Sequence, residues 1–273
     1  MASVLTKTEP TFDTQPIAVI DGQMLNLGSL DQLVATARAH GCAGRGFSLF
    51  TLNLDHLVKR RADPAFRAAY ARATYVTADG APVVALARSQ GARLQRTTGA
   101  DLIEPLCAMA EREGLPLFFF GSTEAWLQAA AQVLLCRYPK LKIAGREAPP
   151  FGFDPASPAA QASADRIAAS GARFCLVALG APKQEMFVDA IACRCPEIGF
   201  FCIGAALDFI AGGQKRAPKW VRGLNLEWFW RMMTNPRRLA VRYARCALLL
   251  MNLFWHNPDG TFFRPARPAK SGA

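Results

Sequence analysis

A seven-residue junction, LGAPKQE at residues 179–185, carries groups suited to holding a phosphate. It follows an apolar run that is typical of a buried strand. Gly180 permits close approach of a ligand to the backbone, and Pro182 suits the first position of a helix. The free N–H groups at a helix N-terminus attract anions, and Lys183 adds a positive charge. The junction therefore predicts a site for a phosphate-bearing ligand. Glu185 has two interpretations: it contacts that ligand, or it caps the same helix.

Small, polar and acidic residues also follow other strand-like runs. In parallel α/β sheets the carboxyl ends of the strands share one edge, and ligands bind outside that edge. One such junction is ordinary, because loops are generally polar and rich in glycine. Several together predict a composite site. The residues concerned are Thr51, Asn53, Asp79, Gly80, Gly121, Gly180, Gly204 and Asp208.

Common nucleotide and metal motifs are missing from these junctions. G-x-G-x-x-G is absent after every predicted strand, which disfavours a dinucleotide-dependent dehydrogenase. G-x-x-x-x-G-K-[ST] is absent as well. Cys193 and Cys195 form a C-x-C pair, but the chain has three histidines and no second such pair, so a zinc site is not indicated. We predict neither a metal site nor a cofactor.

The elements that must position these residues alternate along the chain. Runs rich in β-branched and aromatic residues predict strands at 47–52, 74–78, 115–120, 141–144, 173–179 and 198–203. Stretches rich in Ala and Leu predict helices, among them 101–113, 124–137 and 158–170. This order predicts an α/β fold with a mainly parallel, Rossmann-like sheet and helices on both faces. An extra extended segment or hairpin is expected at 17–28.

Positive charge is concentrated towards the C-terminal end. Residues 214–273 carry 12 basic and 2 acidic side chains, so they hold +10 of the chain's net +11. We therefore predict an α/β core at 1–213 and a basic helical appendage at 214–273 that faces an anionic partner. The hydrophobic fraction of 51% is that of a globular protein, and no signal peptide is evident, so a cytoplasmic location is expected.

Ordered motifs extend the pattern over most of the chain. They are Thr51-x-Asn53, Asp79-Gly80, Thr98-Gly99-x-Asp101, Tyr138-Pro139, Gly180-x-Pro-Lys-Gln-Glu185, Gly204-x-x-x-Asp208, Arg216-Ala-Pro218, Glu227-Trp228, Arg231 and Pro236-Arg-Arg238. In order and spacing they resemble the WecG/TagA/CpsF family, glycosyltransferase family 26. The resemblance implies inverting transfer of a sugar from a UDP-sugar to a polyprenyl-diphosphate-linked saccharide in surface polysaccharide biosynthesis. The sugar stays open among N-acetylmannosamine, its uronic acid, glucuronic acid and glucose.

Asp79 resembles, by position, the proposed general base of that family. Inverting transfer needs one base to deprotonate the acceptor hydroxyl while the anomeric carbon is attacked opposite the leaving UDP. Gly80 opens the space beside the carboxylate. The other interpretation is a turn aspartate that bonds its own backbone.

The resemblance also assigns residues to the substrate cleft. Gln184 would pair with a sugar hydroxyl, an acetamido group or a base edge of the donor. Asp101 has a second interpretation as a cap of the helix that follows it. The remaining cleft residues are Thr51, Asn53, Thr98 and Gly99.

The charge of the leaving diphosphate must be met without a D-x-D motif. None of the twelve aspartates is followed two residues later by another, so we predict metal-independent catalysis. Cationic side chains and helix N-termini would then stabilise the diphosphate. The nearest candidates are Lys183, Arg216 and Arg222. Arg231, Arg237 and Arg238 are candidates for contact with a phosphate of the donor or with the lipid diphosphate of the acceptor.

Residues 235–255 predict a basic, amphipathic helix with Pro236 at its first position. Its apolar end, 248–255, is about half of the ~20 residues that span a bilayer. A helix lying on the anionic cytoplasmic leaflet is the favoured interpretation. Packing on the core with a solvated basic face is the alternative, and packing on a second subunit in a homo-oligomer is also open.

Two rival functions follow from the same features. Trp220, Trp228 and Tyr243 among the arginines are typical of a nucleic-acid-binding module. Such a module would not need Asp79 and Asp208 at one sheet edge, so no nucleic acid partner is expected. A methyltransferase on the same kind of sheet would be stabilised by S-adenosylmethionine rather than by UDP.

Overall fold

The computed structural model describes residues 15–213, 230, 233 and 236–255. Strands β1 (Ala18–Ile20) and β2 (Gln23–Leu25) form an antiparallel hairpin, as expected for 17–28. The other strands are β3 (Phe47–Leu52), β4 (Tyr75–Ala78), β5 (Leu117–Gly121), β6 (Ile143–Glu147), β7 (Phe174–Ala178) and β8 (Gly199–Cys202). They form one parallel sheet in the order β4-β3-β8-β7-β5-β6. All six predicted strands and the predicted fold class are confirmed.

Helices follow the strands and cover the sheet. They are α1 (Leu30–Ala43), α2 (Leu54–Ala62), α3 (Pro64–Arg72), α4 (Ala81–Ser89), α5 (Gly99–Glu113), α6 (Glu124–Arg137), α7 (Pro158–Ala169), α8 (Lys183–Ile191), α9 (Ala206–Ile210) and α10 (Pro236–Trp255), with a 3-10 turn at Ala192–Arg194. Side-chain caps fix many starts because a helix N-terminus leaves its N–H groups unpaired. Thr98, for example, accepts from Asp101 N, which is why α5 starts at Gly99.

The core lies in two layers, one on each face of the sheet. Successive side chains of β5 point to opposite faces of the sheet, so they belong to different layers. Phe118 and Phe120 lie in the layer that is covered by α2, α3, α4, α7 and α8. Phe119 lies in the layer that is covered by α1, α5, α6 and α9. Every residue of β3, β5, β7 and β8 is buried. Burying one such phenylalanine stabilises the fold by roughly 1.5–3 kcal/mol.

Asn26 covers the free edge of β4. Its side-chain oxygen accepts from Val76 N, and its amide donates to Thr74 O, both at 2.8 Å. The Asn26 backbone N–H donates to Val76 O at 3.1 Å. The segment after β2 therefore satisfies backbone groups that an edge strand would otherwise leave open.

Helix α10 packs along α2. Cys246, Leu249 and Leu253 are buried, and the two leucines belong to the same core layer as α2. On another face of α10, Leu248 and Met251 are exposed, at 62% and 58%. The helix therefore packs on the core, as one interpretation predicted, while it keeps an apolar stripe towards solvent.

The described part of the appendage is limited to Trp230, Met233 and α10. Within residues 15–213, 230, 233 and 236–255, no helix combines the length and the hydropathy needed to span a bilayer. The division of the chain at residue 213 stays a prediction.

Candidate functional site

Asp79 follows β4 directly, beside the end of β3. Its backbone N–H donates to Leu52 O at 2.8 Å, and its side chain is half-buried. The next residue, Gly80, is the N-cap of α4 and lies beside Asn53. Asn53 is the N-cap of α2, and its side-chain oxygen accepts from His56 N at 3.0 Å. Asn53 and Asp79 therefore lie together at the carboxyl edge of the sheet, as predicted.

A buried network holds the end of β3 beneath them. The Tyr70 hydroxyl donates to Thr51 O at 2.7 Å, and His56 Nδ1 lies 2.8 Å from the same carbonyl oxygen. Burial lowers the pKa of His56 to about 4, so the ring is neutral at physiological pH. Burial also raises the pKa of Tyr70, and the charges of Glu185 and Asp79 raise it further. Thr51 therefore contributes a fixed backbone position, with its side chain largely buried.

Gln184 ties together the ends of β7 and β8. Its Oε1 accepts from Gly180 N at 3.2 Å and from Gly204 N at 3.0 Å. Its Nε2 donates to Glu185 Oε1 at 2.8 Å. The residue is 2% exposed, so its amide is committed to these three partners. Its predicted contact with the donor stays a prediction.

Glu185 is buried next to Gln184 and points inward from the first turn of α8. Its second oxygen, Oε2, has no hydrogen-bond partner in the described part of the chain. Burial raises the pKa of Glu185 to about 7, against smaller lowering contributions from Gln184 and Lys59. A carboxyl group with this environment exchanges its proton close to neutral pH.

The backbone at Gly180 faces open space. Its φ of +74° is one that favours glycine, and a Cβ added there would meet no atom within 4 Å. Helix α8 begins at Lys183, one residue later than predicted, with Pro182 as its N-cap. Lys183 is exposed and makes no hydrogen bond or ion pair to the described residues. This opening combines a helix N-terminus with an exposed positive charge.

Thr98, Gly99 and Asp101 approach the same edge from α5. A Cβ on Gly99 would lie 2.6 Å from Ile203 O, so only glycine lets the helix start this close to the end of β8. The Thr98 hydroxyl donates to Asp101 Oδ2 at 2.7 Å, and Thr98 Oγ1 accepts from Asp101 N at 3.1 Å. Asp101 thus takes part in the cap of α5, the second of its two interpretations.

Asp208 joins the site through Ser122. Gly121 ends β5 opposite Ala178, and Ser122 Oγ donates to Asp208 Oδ1 at 2.5 Å. Ser122 has a φ of +52°, which is uncommon for a residue with a side chain. This contact joins the loop after β5 to α9, and the only sign of it in the sequence is the position of Ser122 after a strand.

Part of the predicted site cannot be placed. Arg216, Arg222 and Arg231 lie outside the described residues, and for Arg237 and Arg238 only their position in α10 is described. Sequence reasoning also missed Asp55 and Lys59: Lys59 contacts Ala181 in the loop before α8, and Asp55 is paired with Lys59. Their i, i+4 spacing on α2 was the available signal, and it predicts only a helix-surface pair.

The strand ends thus bring the half-buried carboxylates of Asp79, Asp101 and Asp208, an open backbone turn, a helix N-terminus and a lysine to one edge of the sheet. The family model described as "Glycosyl transferase WecG/TagA/CpsF family" matches residues 18–260, from β1 to beyond α10. The resemblance seen in the motifs is therefore confirmed.

Proposed function

The chain belongs to the WecG/TagA/CpsF family of glycosyltransferases, and from this premise we propose that it is an inverting enzyme that moves a sugar from a UDP-sugar to a polyprenyl-diphosphate-linked saccharide. Family membership makes it a glycosyltransferase of polysaccharide biosynthesis, with a sugar nucleotide and a lipid-linked acceptor as its general substrates. It also favours this class over a methyltransferase or a nucleic-acid-binding module. The donor sugar is N-acetylmannosamine, its uronic acid, glucuronic acid or glucose.

The observation that carries the proposal is that Asp79 and the opening at Gly180 follow β4 and β7, two parallel strands that end at the same edge of the sheet. The Asp79 carboxylate takes the proton of the acceptor hydroxyl, whose oxygen then attacks the anomeric carbon. The bond from that carbon to the diphosphate breaks on the opposite side, and its electron pair leaves with UDP. Asn53 and Gly80, which adjoin Asp79, line the acceptor side.

Positively charged groups stabilise the negative charge that develops on the leaving diphosphate. Lys183 and the N-terminus of α8 lie at the Gly180 opening, where an oxyanion gains from oriented N–H groups. Arg216, Arg222, Arg231, Arg237 and Arg238 complete this role. We propose that the step needs no metal ion.

The acceptor is anchored in a membrane, and we propose that α10 brings the enzyme to its cytoplasmic face. One face of α10 packs on the core, whereas Val241, Leu248 and Met251 are exposed. Exposed Arg245 lies on the same helix. An apolar stripe flanked by arginine is suited to an anionic interface.

The test is a panel of UDP-sugars with a lipid-diphosphate-linked acceptor, read by the mass of the product. We expect one UDP-sugar of the four to give a product heavier by one sugar residue. Asp79→Asn should abolish turnover and leave binding of UDP, measured by thermal shift, unchanged. Turnover retained by Asp79→Asn would overturn the assignment of the base, and no product from any donor would overturn the function.

A further inference from the structure

A chain of charged contacts runs from α10 to the donor-side loop, which we define as residues 180–183. Arg242 Nε lies 3.1 Å from Asp55 Oδ1. Asp55 Oδ2 lies 2.7 Å from Lys59 Nζ, and Lys59 Nζ donates to Ala181 O at 2.9 Å. Three elements that are distant in sequence are thereby joined.

From these contacts we propose that Lys59 is a positioning residue that fixes the donor-side loop, and that Asp55 and Arg242 hold Lys59 in place. The inference rests on the proposed function, because a loop of fixed shape matters only if the loop binds the sugar nucleotide. None of the three side chains has to touch the substrate for this role.

The donor-side loop has few other anchors. Gln184 holds both backbone groups of Gly180, because its Oε1 accepts from Gly180 N and its N–H donates to Gly180 O at 3.1 Å. Pro182 O accepts from Met186 N at 3.1 Å. Between these points, Ala181 O is held by Lys59 alone among the contacts that the described residues make. Losing the Lys59 ammonium would therefore free the peptide group that directly precedes Pro182 and Lys183.

Charge explains why this lysine stays in place. The side chain of Asp55 is 11% exposed, and a carboxylate this far from water requires compensation by positive charge. Lys59 supplies it from the same helix, and Arg242 supplies it from α10. Burial raises the pKa of the Glu185 carboxyl group, and the positive charge of Lys59 lowers it by a smaller amount.

The experiment compares amide hydrogen exchange and steady-state kinetics in the full chain. The variants are Lys59→Met, Lys59→Arg and a matched control, Lys140→Met, whose lysine is exposed in the turn after α6. Exchange is followed in peptides covering 179–186 and, as a reference, 158–169.

We expect Lys59→Met to speed exchange in 179–186 and to leave 158–169 unchanged. The KM for the sugar nucleotide should rise about fivefold, the loss of roughly one hydrogen bond, with a smaller change in kcat. Lys59→Arg keeps the charge and the donors, so it should restore most of both properties. Lys140→Met should match the wild-type protein.

Wild-type exchange in 179–186 together with a wild-type KM in Lys59→Met would overturn the inference. If Lys59→Met exchanges faster throughout the chain, the variant Arg242→Gln provides the decisive test. Faster exchange of Arg242→Gln that is confined to α2 and 179–186 supports the inference. Unchanged exchange in those two segments overturns it. Exchange needs no substrate. A wild-type protein that transfers no sugar would therefore refute the proposed function and leave this test intact.

Discussion

Gln184 offers a test of how the site is built, because its amide holds three groups at once. Gln184→Met keeps the length and the flexibility of the side chain but removes its donor and acceptor. Gly180 N and Gly204 N then lose their shared acceptor, and Glu185 loses its only side-chain donor among the described residues.

The expected cost can be worked out from these bonds. Two partly buried N–H groups lose about 1 kcal/mol each, and a buried carboxyl group left without its donor costs about 1–3 kcal/mol more. Better burial of the thioether offsets part of this sum, so the free energy of unfolding should fall by about 2–4 kcal/mol. In domains of 150–250 residues this lowers Tm by about 4–16 °C.

The assay is urea unfolding of the protein without any ligand. Gln128→Met, at an exposed position of α6, is the matched control and should change stability by less than about 0.5 kcal/mol. A side chain that served only to contact the donor would leave the unliganded protein as stable as before. If Gln184→Met lowers the free energy of unfolding by less than about 1 kcal/mol, the amide does not hold the ends of β7 and β8 together.

Three further predictions concern pH, the C-terminal helix and metal. The folded protein holds a proton on Glu185 up to about pH 7, whereas the unfolded chain releases it near 4.5, so stability should fall between these values as pH rises. Glu185→Gln, which cannot ionise, should flatten that slope in urea unfolding, and an unchanged slope would contradict the assignment. Leu249 is 6% exposed and Leu248 62%, so Leu249→Ala should cost about 2–4 kcal/mol, whereas Leu248→Ala should spare stability and weaken binding to anionic liposomes. The reverse pattern would mean that α10 faces the other way. Sugar transfer should persist in excess EDTA, and activity lost there and restored by Mg²⁺ would contradict metal independence.

Much of the fold was predictable because its signals are local. Runs such as 47–52 and 174–178 are wholly buried in a parallel sheet, so they are apolar throughout and stand out from their neighbours. Polar residues that follow strands mark the functional edge for the same reason, since parallel strands all end there. Asp79 and Gly180 were found in this way.

The sequence did not predict which polar side chains make hydrogen bonds inside the protein instead of facing a ligand. Gln184 reads equally well as a ligand contact or as a tie between strands, because its neighbours in space, Gly204 and Glu185, are fixed by packing. The contact of Lys59 with Ala181 spans 122 positions of sequence. Such pairs depend on how α2 packs against the loop before α8, which no local pattern encodes.

The cover that Asn26 provides on β4 bears on how the chain behaves in a crowded cell. A foreign strand can add to that side of the sheet only by displacing two side-chain bonds and the backbone bond of Asn26. At the opposite edge, β6 carries Arg146 and Glu147, each engaged in an ion pair. Both borders of the six-stranded parallel sheet are therefore protected against the edge-to-edge pairing between copies that begins aggregation.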